Sequence, residues 1–163
     1  MIVISNSSPL IALAKVGLLG LLKALFGEVI IPRAVWAEVV EHGGGRPGSE
    51  EVARADWIRM RSVSNRLAVD ILRRELGPGE AEAIVLAKEL GADLVLVDDE
   101  RAREIARSLG LRIAGTIALL LMAWEKDLLV KNPVDIAEEM RAKGVWISDE
   151  LMRRLRATVE THR

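Results

Sequence analysis

Short apolar runs alternate along this chain with longer segments that carry helical periodicity. Ile2 to Ser5, Val29 to Ile31, Trp57 to Arg61, Leu94 to Val97 and Leu111 to Ala114 read as five strands. Leu94-Val95-Leu96-Val97 is apolar at every position, the pattern of a strand covered on both faces rather than one side-on to water. Between the strands the pattern predicts helices over Leu10 to Lys15, Leu18 to Phe26, Arg33 to Glu41, Ser49 to Ala55, Arg66 to Glu75, Glu80 to Leu90, Glu100 to Leu109 and Ile117 to Lys126. Gly17, Gly27, Gly91 and Gly110 stand where those helices should stop. Ser8 reads as a helix cap, with Pro9 suited to the first helical position. Two more helices, Val134 to Lys143 and a last one capped by Ser148-Asp149-Glu150 and ending near Thr158, have no strand between them. They are expected to form a C-terminal hairpin at about 133–158.

Strands alternating with helices imply βαβ crossovers, and hence a mostly parallel sheet with helices on both faces. At 163 residues the chain is most simply one domain. Half of it is hydrophobic but only 3% is aromatic, so the core must be built from Leu, Val, Ile and Ala. The net charge of −1 argues against tight sequence-independent binding of nucleic acid, though a local patch suffices for transient contact. With no cysteine, disulfides, thiolate zinc sites and cysteine nucleophiles are excluded. The two histidines, His42 in a Gly-rich loop and His162 in the tail, leave little for imidazole chemistry. Met1-Ile2-Val3-Ile4 is too short and uncharged for a signal peptide, and Ile117 to Trp124 is far too short to span a bilayer. A soluble cytoplasmic protein with no membrane partner is expected.

The acidic residues fall where strands end and helices begin. Asp98-Asp99 follows the fourth strand, at the end of a parallel sheet where ligands bind. Asp99 has the position of a helix cap, which favours Asp98 as a ligand, but the roles can be reversed. Asn6 follows the first strand, and its oxygen is suited either to a metal or to a local turn. Glu38 lies one turn into a helix among Val35, Trp36, Val39 and Val40. Glu80 and Glu82 open a helix after Gly77-Pro78-Gly79, where the helix dipole alone favours acids. Two residues apart on a helix, they point in different directions, so one is free to bind metal while the other caps or pairs with a base. Thr116 opens the helix after the fifth strand as a cap or as a hydroxyl near a phosphate. Carboxylates gathered in one pocket repel unless a cation neutralises them, and Mg²⁺ or Mn²⁺ suits an all-oxygen site. Phosphate loops, dinucleotide-binding glycine motifs and serine nucleophile elbows are missing. Arg46, Arg101 and Arg103 are candidates for phosphate contacts, although a solvated surface is the commoner fate of each.

Ser5-Asn6-Ser7-Ser8-Pro9-Leu10-Ile11-Ala12-Leu13-Ala14-Lys15 resembles the opening of PIN-like domains, in the branch long catalogued as a domain of unknown function. Gly79-Glu80-Ala81-Glu82-Ala83-Ile84, Leu96-Val97-Asp98-Asp99 with Ala102-Arg103, and Gly115-Thr116 match that branch in order and approximate spacing. The resemblance implies an α/β/α sandwich around a parallel five-stranded sheet. It implies a Mg²⁺- or Mn²⁺-dependent ribonuclease acting on single-stranded RNA, like the toxins of toxin–antitoxin pairs, with an antitoxin partner and a homodimer. By resemblance Asn6 stands where most PIN nucleases have the first Asp, Glu38 is the second acid, Glu80 the third with Glu82 as alternative, and Asp98 the fourth with Asp99 beside it. Ser8 and Thr116 are supporting residues. Asn6 departs from the pattern: it is neutral, so the same residues also fit a weakened or inactive interaction module that acts by pairing with itself or an antitoxin.

Overall fold

The structure is a computed structural model, and it describes residues 1–161. His162 lies outside the described residues. Five strands, β1 (Val3–Ser5), β2 (Val29–Pro32), β3 (Ile58–Arg61), β4 (Leu94–Leu96) and β5 (Ile113–Ala114), form one sheet in the order β3-β2-β1-β4-β5. Every pairing is parallel, with Ile4 opposite Ile30 and Val95, and Val95 opposite Ile113. The chain winds outward from β1 through β2 to β3, then returns to the other side of β1 for β4. This makes a topological switch point between β1 and β4, where the connections leave to opposite sides and open a crevice at the carboxyl ends of the strands.

Ten helices cover the sheet among the described residues: α1 (Ser7–Lys15), α2 (Leu21–Phe26), α3 (Arg33–Trp36), α4 (Ser49–Arg54), α5 (Arg66–Leu72), α6 (Pro78–Leu90), α7 (Glu100–Ser108), α8 (Thr116–Glu125), α9 (Pro133–Ala142) and α10 (Asp149–Thr161). The two sheet faces carry two apolar clusters, and alternation along the strands sorts residues between them. Val3, Val29, Ile31 and Leu96 join Leu10, Leu13, Leu119, Leu120 and Met140 on one face. Ile4, Ile30, Val95 and Val97 join Ile84, Leu86, Ala102 and Ala106 on the other. A strand buried on both faces must be apolar at consecutive positions, which explains the runs read in the sequence. The edge strand β3 is the exception: only Ile58 is buried, while Arg59, Met60 and Arg61 are exposed. Charge on an open edge discourages pairing with another chain.

The helix after β2 changes character midway. α3 continues into a π-helical turn over Ala37–Glu41, closed by a 2.7 Å bond from the His42 amide to the Ala37 carbonyl. The wider turn rotates the residues that follow relative to a regular helix, and such turns are frequent at functional sites. It carries Glu38. α9 and α10 follow one another without a strand, and the final helix extends to Thr161 rather than Thr158. No described helix is long and apolar enough to cross a membrane.

Candidate functional site

Asn6 is buried, 1% exposed, at the carboxyl end of β1, with extended backbone, and it occupies the position before the first turn of α1. Its amide bonds to the Leu96 carbonyl at 2.9 Å, which ties it to the neighbouring β4. The expectation that Ser8 caps α1 is corrected here: the helix begins at Ser7, and Ser8 is exposed within the first turn. The buried hydroxyl belongs to Ser7, which donates to Glu38 Oε2 at 3.0 Å. Pattern reading passed over Ser7 because it lies in a turn sequence with two serines, and nothing in the sequence says which of the two faces inward.

Asn6 lies between two glutamates. Its Nδ2 donates to Glu80 Oε2 at 3.3 Å, while Glu80 Oε1 accepts from the Gly77 amide at 3.3 Å at the start of α6. On its other edge, Asn6 Oδ1 is buried and has no hydrogen-bond donor. Oδ1 and Glu38 Oε2 share one small space: they lie 2.9 Å and 3.0 Å from the point where a Cβ on Gly79 would sit. Only glycine leaves that space open. A neutral amide between two carboxylates has one donating edge and one accepting edge, so in either orientation it turns an oxygen toward another oxygen. Gly79→Ala is therefore expected to fill the space before Asn6 and to lower stability by about 1–3 kcal/mol, because the added methyl meets Asn6 Oδ1, Glu38 Oε2 and Val35 at less than contact distance. Thermal melting with Mn²⁺ titration checks this, and unaltered Mn²⁺ binding would sink it.

A second group of polar side chains lies at the carboxyl ends of β4 and β5. Asp98, partly buried just beyond β4, accepts from the Thr116 amide at 2.7 Å and from its hydroxyl at 2.6 Å. The helix-cap reading of Thr116 is corrected: Gly115 holds the capping position, and Thr116 is the first helical residue, buried and turned onto Asp98. A carboxylate at a helix N-terminus gains from two donors and the helix dipole together.

Two of the remaining acids serve the fold. Glu82 is 8% exposed, with Oε1 accepting from the Ala34 amide at 3.0 Å and Oε2 from Arg66 Nη1 at 2.9 Å. Of the pair on α6, Glu80 faces Asn6, whereas Glu82 is turned away from it onto the Ala34 amide and the Arg66 guanidinium. The bond to Glu82 raises the Arg66 guanidinium further above its ordinary range. Asp99 is exposed and caps α7 by accepting from the Ala102 amide at 2.9 Å. Among the arginines, Arg101 is committed to Glu75 and Glu104, and the hydrogen bonds it donates to those carboxylates raise its guanidinium as well. Arg46 and His42 are exposed in and beside the glycine loop. An apolar groove between α5 and α6, lined by Ala68, Ile71, Leu72, Ile84 and Val85 and bordered by Leu109 just past α7, holds none of these residues.

As the side chains stand, no three Asp, Glu or His of the described residues converge closely enough to hold one metal ion. The donor chemistry nevertheless fits a hard divalent cation. Asn6 Oδ1, Glu38 and Glu80 are all oxygen donors, and a buried acceptor without a donor is stabilised by positive charge.

A doubly wound parallel sheet that gathers polar side chains from the ends of separate strands at its switch point has the architecture in which α/β domains bind ligands. The family model described as PIN domain matches residues 2–161, so the chain belongs to the PIN domain family. A comparison with curated proteins returns no match.

Proposed function

We propose that this protein is a Mg²⁺- or Mn²⁺-dependent ribonuclease that hydrolyses phosphodiester bonds in single-stranded RNA, as the toxin of a toxin–antitoxin pair. The observation that carries this reading is the unpartnered Asn6 Oδ1 turned toward the same space as Glu38 Oε2 at the carboxyl end of β1. Family membership supports a nuclease-type fold around it. Glu38, Glu80 and Asp98 would hold the cation, with Asn6 Oδ1 orienting a ligand or water. When bound, such a cation supplies positive charge that favours hydroxide as nucleophile and offsets the charge of the phosphodiester.

The chain's own residues prepare the site. Ser7 fixes the orientation of Glu38 through one hydrogen bond, and Thr116 fixes both oxygens of Asp98. Asn6 Nδ2 and the Gly77 amide hold the two oxygens of Glu80. Each carboxylate is thus ordered before any cation arrives, which lowers the cost of organising the site. An antitoxin partner and a homodimer belong to the same reading.

The neutrality of Asn6 favours a second reading: a weakened or inactive module that works by pairing with itself or an antitoxin. Mn²⁺-dependent cleavage of a single-stranded RNA separates the two. Wild type should cleave, and Glu38→Gln and Asp98→Asn should each reduce the rate by about a hundredfold or more. No cleavage in wild type, or cleavage surviving both substitutions, would transfer the assignment to the interaction module.

A further inference from the structure

We infer that Arg103 is the residue that grips a phosphate of the RNA, a role that rests on the ribonuclease reading of the same crevice. Arg103 sits one turn into α7, beside Ala102 and Ala106, which are buried against the sheet. Its guanidinium lies across the turn between β5 and α8. A Cβ on Gly115 would be 2.6 Å from Arg103 Nη1 and 2.8 Å from Asp98 Oδ1, so the missing side chain of Gly115 is what admits the guanidinium to this place.

The hydrogen bonding there is unusual for an arginine beside an aspartate. Asp98 gives both oxygens to Thr116 and none to Arg103. Arg103 takes part in no ion pair among the described residues. Its one protein acceptor is the Val97 carbonyl, at a long 3.5 Å. Arg66 and Arg101, by contrast, are committed to carboxylates. A guanidinium has five N–H donors in a planar fork that matches two oxygens of a phosphate. Arg103 holds that fork nearly unspent, partly buried, beside Asp98 and Gly115 at the same carboxyl end of the sheet that carries Asn6. On the ribonuclease reading, that end of the sheet offers oxygen donors for a cation and a guanidinium for the anion, and a phosphodiester bound there meets both.

The test is binding of a short fluorescein-labelled oligouridylate, followed by anisotropy in Ca²⁺ and again with chelator, across a range of salt. Arg103→Ala should weaken binding about tenfold and reduce the slope of log affinity against log salt by about 0.7, the share of one phosphate contact on a single strand. Arg103→Lys should keep the salt slope but recover only part of the affinity, because an ammonium lacks the fork. Gly115→Ala, which retains the charge but crowds both the guanidinium and Asp98 Oδ1, should weaken binding as Arg103→Ala does in chelator, where no cation depends on Asp98. Arg107→Ala, exposed in the last turn of α7, should change neither quantity. Wild-type binding that Arg103→Ala leaves equal in affinity and slope overturns the role of Arg103 and leaves the nuclease reading standing. Absence of binding by wild type overturns both.

Discussion

Replacing Asn6 by Asp is expected to raise Mn²⁺-dependent RNA cleavage about tenfold or more, with a matching gain in Mn²⁺ affinity. Asn6 already points an oxygen with no hydrogen-bond donor into the space it shares with Glu38 Oε2. A carboxylate there adds a full charge among ligands that a hard cation prefers. The same substitution carries a penalty without metal. It removes the Nδ2 donor to Glu80 and places a third carboxylate beside Glu38 and Glu80, a repulsion of about 1–2 kcal/mol in a partly buried setting. The melting temperature of the variant should therefore fall in chelator and recover steeply with Mn²⁺, whereas wild type should respond weakly. Cleavage rates and melting curves, each with and without Mn²⁺, check both halves. A variant indifferent to Mn²⁺ in both would remove the cation from the proposed mechanism.

Glu82→Ala should damage the fold and spare the site. Its carboxylate is the acceptor for the Ala34 amide in the first turn of α3 and for Arg66 from α5, so one side chain of α6 joins three helices. Removing it strands the Ala34 amide and releases the 59% exposed Arg66 side chain to water, at a cost of about 1–2 kcal/mol, or a fall in melting temperature of roughly 3–6 °C for a chain of this size. Glu82→Gln keeps the acceptor for Ala34 and should cost less. Mn²⁺ response of the folded variant should match wild type, in contrast to Glu80→Ala. Chemical denaturation with a parallel Mn²⁺ titration decides it: a stable Glu82→Ala protein that no longer responds to Mn²⁺ would restore Glu82 as a ligand.

The two glutamates also show where pattern reading stops. Their spacing says that they diverge, which is a property of the helix itself. It does not say which one meets Asn6, because that depends on how α6 is rotated against β1 and α3. Ser7 and Ser8 pose the same problem at the start of α1: both are small, polar and adjacent, and only the helix orientation turns Ser7 onto Glu38. Gly79 and Gly115 looked like helix-start punctuation. Their importance comes from groups distant in sequence, Asn6 and Glu38 in one case and Arg103 and Asp98 in the other.

The sequence by itself determined the class of fold: apolar runs at consecutive positions demand strands covered on both faces, and the helices between them demand parallel crossovers. It determined that Asp98 follows a strand at the ligand-binding end, since strand direction and chain order give that position without any packing. It determined that the position following β1, at the same end, carries the neutral Asn6. The tertiary structure alone decided the partners: Glu80 on Asn6, Glu38 on Ser7, Asp98 on Thr116, Glu82 on Arg66, and Arg103 on no carboxylate. Local periodicity repeats every two or 3.6 residues and is written in neighbouring positions. A hydrogen bond across 74 residues depends on helix rotation and interhelical spacing, which are set by the summed packing of the whole core.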